Sequence, residues 1–123
     1  MGCRLHSHKK HEIVYSDCAS FNWGAGYVNP IIECLADGDF WADDDCVEGA
    51  MNLEASRENL LKNIDKIITP DPEWGNQETL DELIKEMEDD NQCDIDRQYL
   101  YDRLKDIIEE ADPRNTYVFF IWF

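Results

Sequence analysis

Two periods organise the apolar positions of this chain. Between Ser56 and Ala111 they recur at helical spacing. Leu60, Leu61, Ile64, Ile67 and Ile68 form one stripe, with Lys62, Asp65 and Lys66 turned outward. Ser56 stands ahead of that helix as its N-cap, and Thr69-Pro70-Asp71-Pro72 ends it, with Trp74-Gly75-Asn76 continuing the turn. A second helix is predicted from about Gln77 to Asp90, with Leu80, Leu83, Ile84 and Met87 on one face. A third runs from near Asp94 to Ala111 through Leu100, Leu104, Ile107 and Ile108, and Asp112-Pro113 closes it.

Elsewhere the period is two. His11 to Tyr15, with β-branched Ile13 and Val14, reads as a strand that can extend back towards Cys3. Met51, Leu53 and Ala55 alternate with Asn52 and Glu54, as in a half-buried strand. Thr116 to Phe123 is a third, built of β-branched and aromatic residues. Between the first two, SFNWGAGYVNP reads as a loop, followed by a short helix capped by Asn29 with Pro30 at its first position. That helix carries Ile31, Ile32 and Leu35 and should stop at Asp37-Gly38. Asp37 to Glu48 then reads as an acidic loop.

The resulting order, β-α-β-α-α-α-β, is that of an α+β fold: a small sheet of about three strands, antiparallel or mixed, packed with three to four helices. No internal repeat or long linker divides residues 1–123, so a single domain is expected. The last strand is apolar on both faces, Val118, Phe120 and Trp122 on one and Tyr117, Phe119, Ile121 and Phe123 on the other. Both faces should therefore be covered. An exposed edge of this kind would template aggregation, which places the strand at the centre of the sheet; pairing across a homodimer is the alternative.

Charge changes the picture more than composition does. The formal net charge is −17 over 123 residues, and between Lys10 and Arg57 there are ten carboxylates and no lysine or arginine. Such a surface repels nucleic acid and anionic lipid and attracts cations or basic protein faces. With 43% apolar residues the chain has the material for a core, against the disorder that high charge alone would favour. No stretch approaches the roughly 20 apolar residues of a membrane span, and MGCRLHSHKKH has no apolar signal-peptide core. Gly2 and Cys3 match a doubly acylated terminus, but His6 occupies the position where the myristoylation pattern takes Ser or Thr. The cysteines Cys3, Cys18, Cys34, Cys46 and Cys93 are odd in number and widely spaced, which fits a reducing cytoplasm with most thiols acting as small buried hydrophobes.

Candidate chemistry is sparse. Against a calcium EF-hand loop, Asp37, Asp39, Asp45 and Glu48 fall on positions one, three, nine and twelve, but Trp41 replaces an oxygen ligand and Ala42 the turn glycine. Cys3, His6, His8 and His11 are zinc-ligand types, yet a strand would split them between two faces. None of the five cysteines has the local signature of a reactive thiol, and the strongly negative field would oppose thiolate formation. GxSxG, P-loop and GxGxxG patterns are absent, and Gly24 and Gly26 lack the remainder of a phosphate motif. The expectation is a protein without enzymatic activity and without a cofactor or bound metal.

The acidic helix faces are what composition leaves to be explained, since solubility needs a net charge of only about 2–8. Carboxylates in rows on rigid helices can occupy a basic channel built for nucleic acid, and long-range attraction speeds the encounter. In size, charge and absence of catalytic motifs the chain resembles the small acidic inhibitors that phages and mobile elements direct against restriction or CRISPR nucleases. It resembles equally the immunity proteins of nuclease toxins. The expected partner is thus a basic nuclease or nucleic-acid-binding protein, without direct nucleic-acid or membrane contact. The contact residues expected are Asp37, Asp39, Trp41, Asp43, Asp44, Asp45 and Glu48 from the loop, and Glu78, Asp81, Glu82, Glu86, Asp89 and Asp90 from the second strong helix. Trp74, Tyr99 and Tyr101 are further aromatic anchors. Two alternatives stand beside this: a divalent-cation-binding domain using Asp37–Glu48, and a homodimeric structural subunit joined through the C-terminal strand.

Overall fold

A computed structural model describes residues 5–9, 14–15, 25–92, 94–111 and 114–122. The fold is α+β. Strands β1 (Leu5–Lys9) and β2 (Val14–Tyr15) lead to helix α1 (Ala25–Leu35), then β3 (Phe40–Ala42) and β4 (Asn52–Ser56). Helices α2 (Arg57–Asn63), α3 (Gln77–Asn91) and α4 (Arg97–Glu110) follow, and β5 (Tyr117–Trp122) closes the chain. All pairings are antiparallel, in the order β2-β1-β5-β4-β3. Since β2 has only 2 residues, the body of the sheet is the remaining four strands.

The sheet is thus two hairpins, β1–β2 and β3–β4, with β5 laid between them. The central position expected for the C-terminal strand is the one observed, with Leu5 paired to Trp122 and Leu53 to Phe120. Both edges of β5 carry ladders, so no edge of it is left to pair with a second copy of the chain. The sheet ends instead on the short strands β2 and β3, which limits edge-to-edge association. Leu5, Leu53, Ala55, Val118, Phe120 and Trp122 are buried on the face covered by the helices. The other face departs from expectation. Phe119 and Ile121 are half-buried and Tyr117 is 36% exposed, so this is an antiparallel sheet with one packed face rather than two.

Three further boundaries differ from the sequence reading. The strand expected at His11–Tyr15 is a hairpin whose longer arm is Leu5–Lys9; residues 11–13 lie outside the described residues. Helix α1 is already formed at Ala25, inside the stretch read as loop, and Pro30 sits within it. Asn29 is no cap: it is fully buried, donating to the Val47 and Ala50 carbonyls (2.9 and 3.0 Å) and accepting from the Trp122 indole (2.8 Å). The acidic segment contains β3 and a 3-10 turn at Val47–Gly49, where a loop was expected. Trp41 and Phe40 are good strand formers, but the run is too short to stand out between aspartates.

The helices otherwise follow their patterns. Ser56 caps α2 by accepting from the Asn59 N–H, and Asp96 caps α4 by accepting from Gln98 and Tyr99. Leu60, Ile64 and Ile67 are buried, while Leu61 and Ile68, expected on the same stripe, are exposed. The buried stripe is thus the narrower i, i+4, i+7 set, with Leu61 and Ile68 on its flank, and the helix tightens to 3-10 geometry over Ile64–Ile67. Leu80, Ile84 and Met87 of α3 and Leu100, Leu104, Ile107 and Ile108 of α4 are buried as expected. Met51, read as an inward strand residue, is exposed and precedes β4.

Candidate functional site

Helix α1 organises the acidic surface. Its C-terminal turn reverses at Asp37 and Gly38, both in left-handed backbone conformation (φ 54° and 83°). Glycine adopts that conformation freely; Asp37 is held there by three side-chain bonds. Its carboxylate accepts from Asn63 (2.8 Å), Asn76 (2.9 Å) and the Trp74 indole (3.1 Å). At the other end of α1, the Tyr27 hydroxyl donates to Asp90 at 3.0 Å, which raises the Tyr27 pKa. The C-terminal turn of α1 thus meets the start of α3 through Asp37, and its N-terminal turn meets the end of α3 through Tyr27, so the two helices pack antiparallel. The 3-10 turn at Val47–Gly49 also lies against α1, where a Cβ built on Gly26 would stand 4.0 Å from that of Glu48. Both acidic segments picked out in the sequence therefore flank one helix.

Within them the carboxylates divide by use. Asp39 accepts from the Tyr117 hydroxyl (2.8 Å), raising the Tyr117 pKa. Asp43 accepts from the Asn52 amide (2.7 Å) and the Met51 N–H (3.1 Å), with the Asn52 bond the main reason its carboxyl is held below the usual range. Asp44 accepts from the Cys46 N–H (2.9 Å), and Glu48 takes the Cys46 thiol at 3.7 Å. Asp81 binds the Gln77 amide (3.0 Å) and the Arg97 guanidinium (3.1 Å). Asp37, Asp39, Asp43, Asp44, Glu48, Asp81 and Asp90 thus join elements or hold turns. Asp45, Glu78, Glu82, Glu86 and Asp89 are exposed and make no side-chain bond among the described residues, and Trp41 on β3 is 53% exposed.

Glu78, Glu82, Glu86 and Asp89 recur at i+4, i+4 and i+3, which places them on one face of α3 opposite Leu80, Ile84 and Met87. Successive members are about 4.5–6 Å apart along the axis, so Glu78 to Asp89 spans roughly 16 Å. Lys85 is the one cation on this face, and no ion pair joins it to them; the ion pairs Arg97–Asp81 and Arg103–Asp106 involve other cations. The row is rigidly backed. Arg97 links α3 to α4 and reaches the Ile67 carbonyl at 3.1 Å, and Gln92 closes α3 in left-handed conformation.

At the start of α3 the turn Pro72–Gly75 leaves an open groove of about 530 Å³, lined among others by Trp74, Glu78, Asp81, Glu82 and Lys85. The groove was not visible in the sequence, because it needs the turn folded against the helix. Trp74, expected as an anchor, lines the groove and stacks with the Lys66 ammonium at 5.1 Å. Tyr99 and Tyr101, the other anchors, stack with Arg103 and Lys105 of their own helix.

The cation-binding alternative gains nothing from this arrangement. Asp37 and Asp39 are bonded to neutral donors and separated from Asp45 and Glu48 by β3. Among the described residues no three His, Cys, Asp or Glu side chains gather as a metal site would require. Of the described cysteines, Cys34 is buried, its thiol pushed up to about 11 by burial and the nearby Asp37, while Cys46 is exposed. Cys3, Cys18, Cys93 and His11 lie outside the described residues. No described helix is long and apolar enough to cross a membrane. No family model, curated protein or solved structure matches the chain.

Proposed function

We propose that this chain is a non-enzymatic, cytoplasmic binding protein that engages and blocks a basic, nucleic-acid-handling protein, its acidic α3 face standing in for a nucleic-acid backbone. The observation that carries the reading is the exposed row Glu78, Glu82, Glu86 and Asp89, unpaired on a helix anchored along its other side. Like charges at helical spacing destabilise a helix by roughly 0.2–0.5 kcal/mol per pair, so the row costs the fold something, offset only at Glu78, which lies in the first turn where the helix dipole favours an acid. Its regular spacing on a stiff support suits a channel that expects phosphates. Of the loop residues, Asp45 is exposed beyond β3, while Trp41 lies with Glu54 and Phe119 on the open face of the sheet, away from α3; the remaining loop carboxylates hold turns and join elements.

Affinity capture of the tagged chain from its own cell lysate, at low and moderate salt and with duplex DNA as competitor, tests this. The expected result is one basic nuclease or nucleic-acid-binding protein, weakened by salt and displaced by DNA. A diffuse set of basic proteins at low salt only, or capture that DNA does not touch, would overturn it.

A further inference from the structure

We infer that the groove between the Pro72–Gly75 turn and the first turns of α3 receives an arginine side chain, presented by a basic segment of the partner protein. The inference rests on the proposed binding role and specifies what its surface recognises. Charge complementarity names the occupant. Glu73, Glu78, Asp81 and Glu82 line the groove, with Lys85 the one cation in the lining; Asp81 is already paired with Arg97, while Glu78 and Glu82 have no partner. The helix N-terminus adds roughly half a positive charge there, which these carboxylates outweigh.

Two features favour guanidinium over ammonium. Trp74 offers an indole wall, and its ring already accepts the Lys66 ammonium at 5.1 Å, so it is placed for cation–π contact. Planar guanidinium can stack on indole while bonding a carboxylate in fork geometry, as a compact ammonium cannot. Asp81 shows the chemistry on this helix, since it already holds the Arg97 guanidinium at 3.1 Å. Continuity argues for a segment and not a free small molecule. Beyond the groove the row continues through Glu86 and Asp89, where successive basic residues of an extended chain would meet further carboxylates.

Labelled nona-arginine and nona-lysine peptides, titrated by anisotropy into the full chain at about 50 and about 150 mM NaCl, test the inference. At the higher salt the arginine peptide should bind about tenfold more tightly, the size of a partly desolvated cation–π contact. Glu78→Gln with Glu82→Gln, both at exposed positions without fold contacts, should abolish that preference. Glu86→Gln with Asp89→Asn removes the same charge outside the groove and should weaken both peptides alike, leaving the preference intact. Equal affinity for the two peptides, or a preference that survives Glu78→Gln with Glu82→Gln, would overturn the groove assignment while leaving charge-driven binding in place. Displacement by an equal concentration of N-acetyl-arginine amide would overturn the assignment to a segment. Binding of neither peptide at the lower salt would remove the basic-partner reading itself.

Discussion

Asn29 is the residue whose role differs most from its appearance in the sequence. Followed by proline, it has the form of a helix cap; in the fold it is a buried junction of α1, β5 and the 3-10 turn. Its partners are 18, 21 and 93 residues away, and no local pattern encodes them. Asn29→Leu strands the Trp122 N–H and two carbonyls, and should cost about 2–4 kcal/mol in urea denaturation. A loss below about 0.5 kcal/mol would mean that these bonds do not hold the core. The same limit applies to the loop carboxylates. That Asp37 and Asp39 face the fold was illegible because Trp74, Asn76 and Tyr117 lie far along the chain. Asp43 gives a pH signature. Its carboxyl pKa is lowered from 3.8, chiefly by the Asn52 amide, so its stabilising contribution is complete above that value. It is lost as pH falls through the lower folded pKa. The stability difference between wild type and Asp43→Asn should therefore be largest near neutrality and vanish in strong acid; a difference independent of pH would contradict the contact.

At the scale of elements, α3 and α4 were legible because an amphipathic period over about four turns overrides local noise. The strands were less so. A three-residue strand among aspartates and a two-residue bridge give too few alternations to register, and both are edges defined by their neighbours. Helix ends can be tested singly. Gln92 terminates α3 at φ 54°, donating its N–H to the Glu88 and Asp89 carbonyls, and is exposed. A side chain pays for that conformation and glycine does not, so Gln92→Gly should stabilise the protein by about 0.5–1 kcal/mol. A destabilised variant would place the α3 terminus in another conformation. The acidic row was readable from spacing alone, since every member lies on one helix.

For the whole molecule, charge and fold pull against each other. At −17, self-repulsion opposes compaction, and the two described ion pairs offset little of it. Screening should relieve this: raising NaCl from about 20 to about 500 mM should raise Tm by several degrees. A flat or falling Tm would mean that the carboxylates are spaced too widely to repel. A charge retained at such cost needs a use outside the fold, and the proposed basic partner supplies one. The most direct test is the association rate of the captured partner with wild type and with Glu78→Gln, Glu82→Gln and Glu86→Gln combined, followed across ionic strength. The wild-type rate should fall steeply with salt, and the variant should associate more slowly with a flatter dependence, because steering acts on encounter. Identical rates and salt slopes would contradict the claim that the α3 face makes the contact.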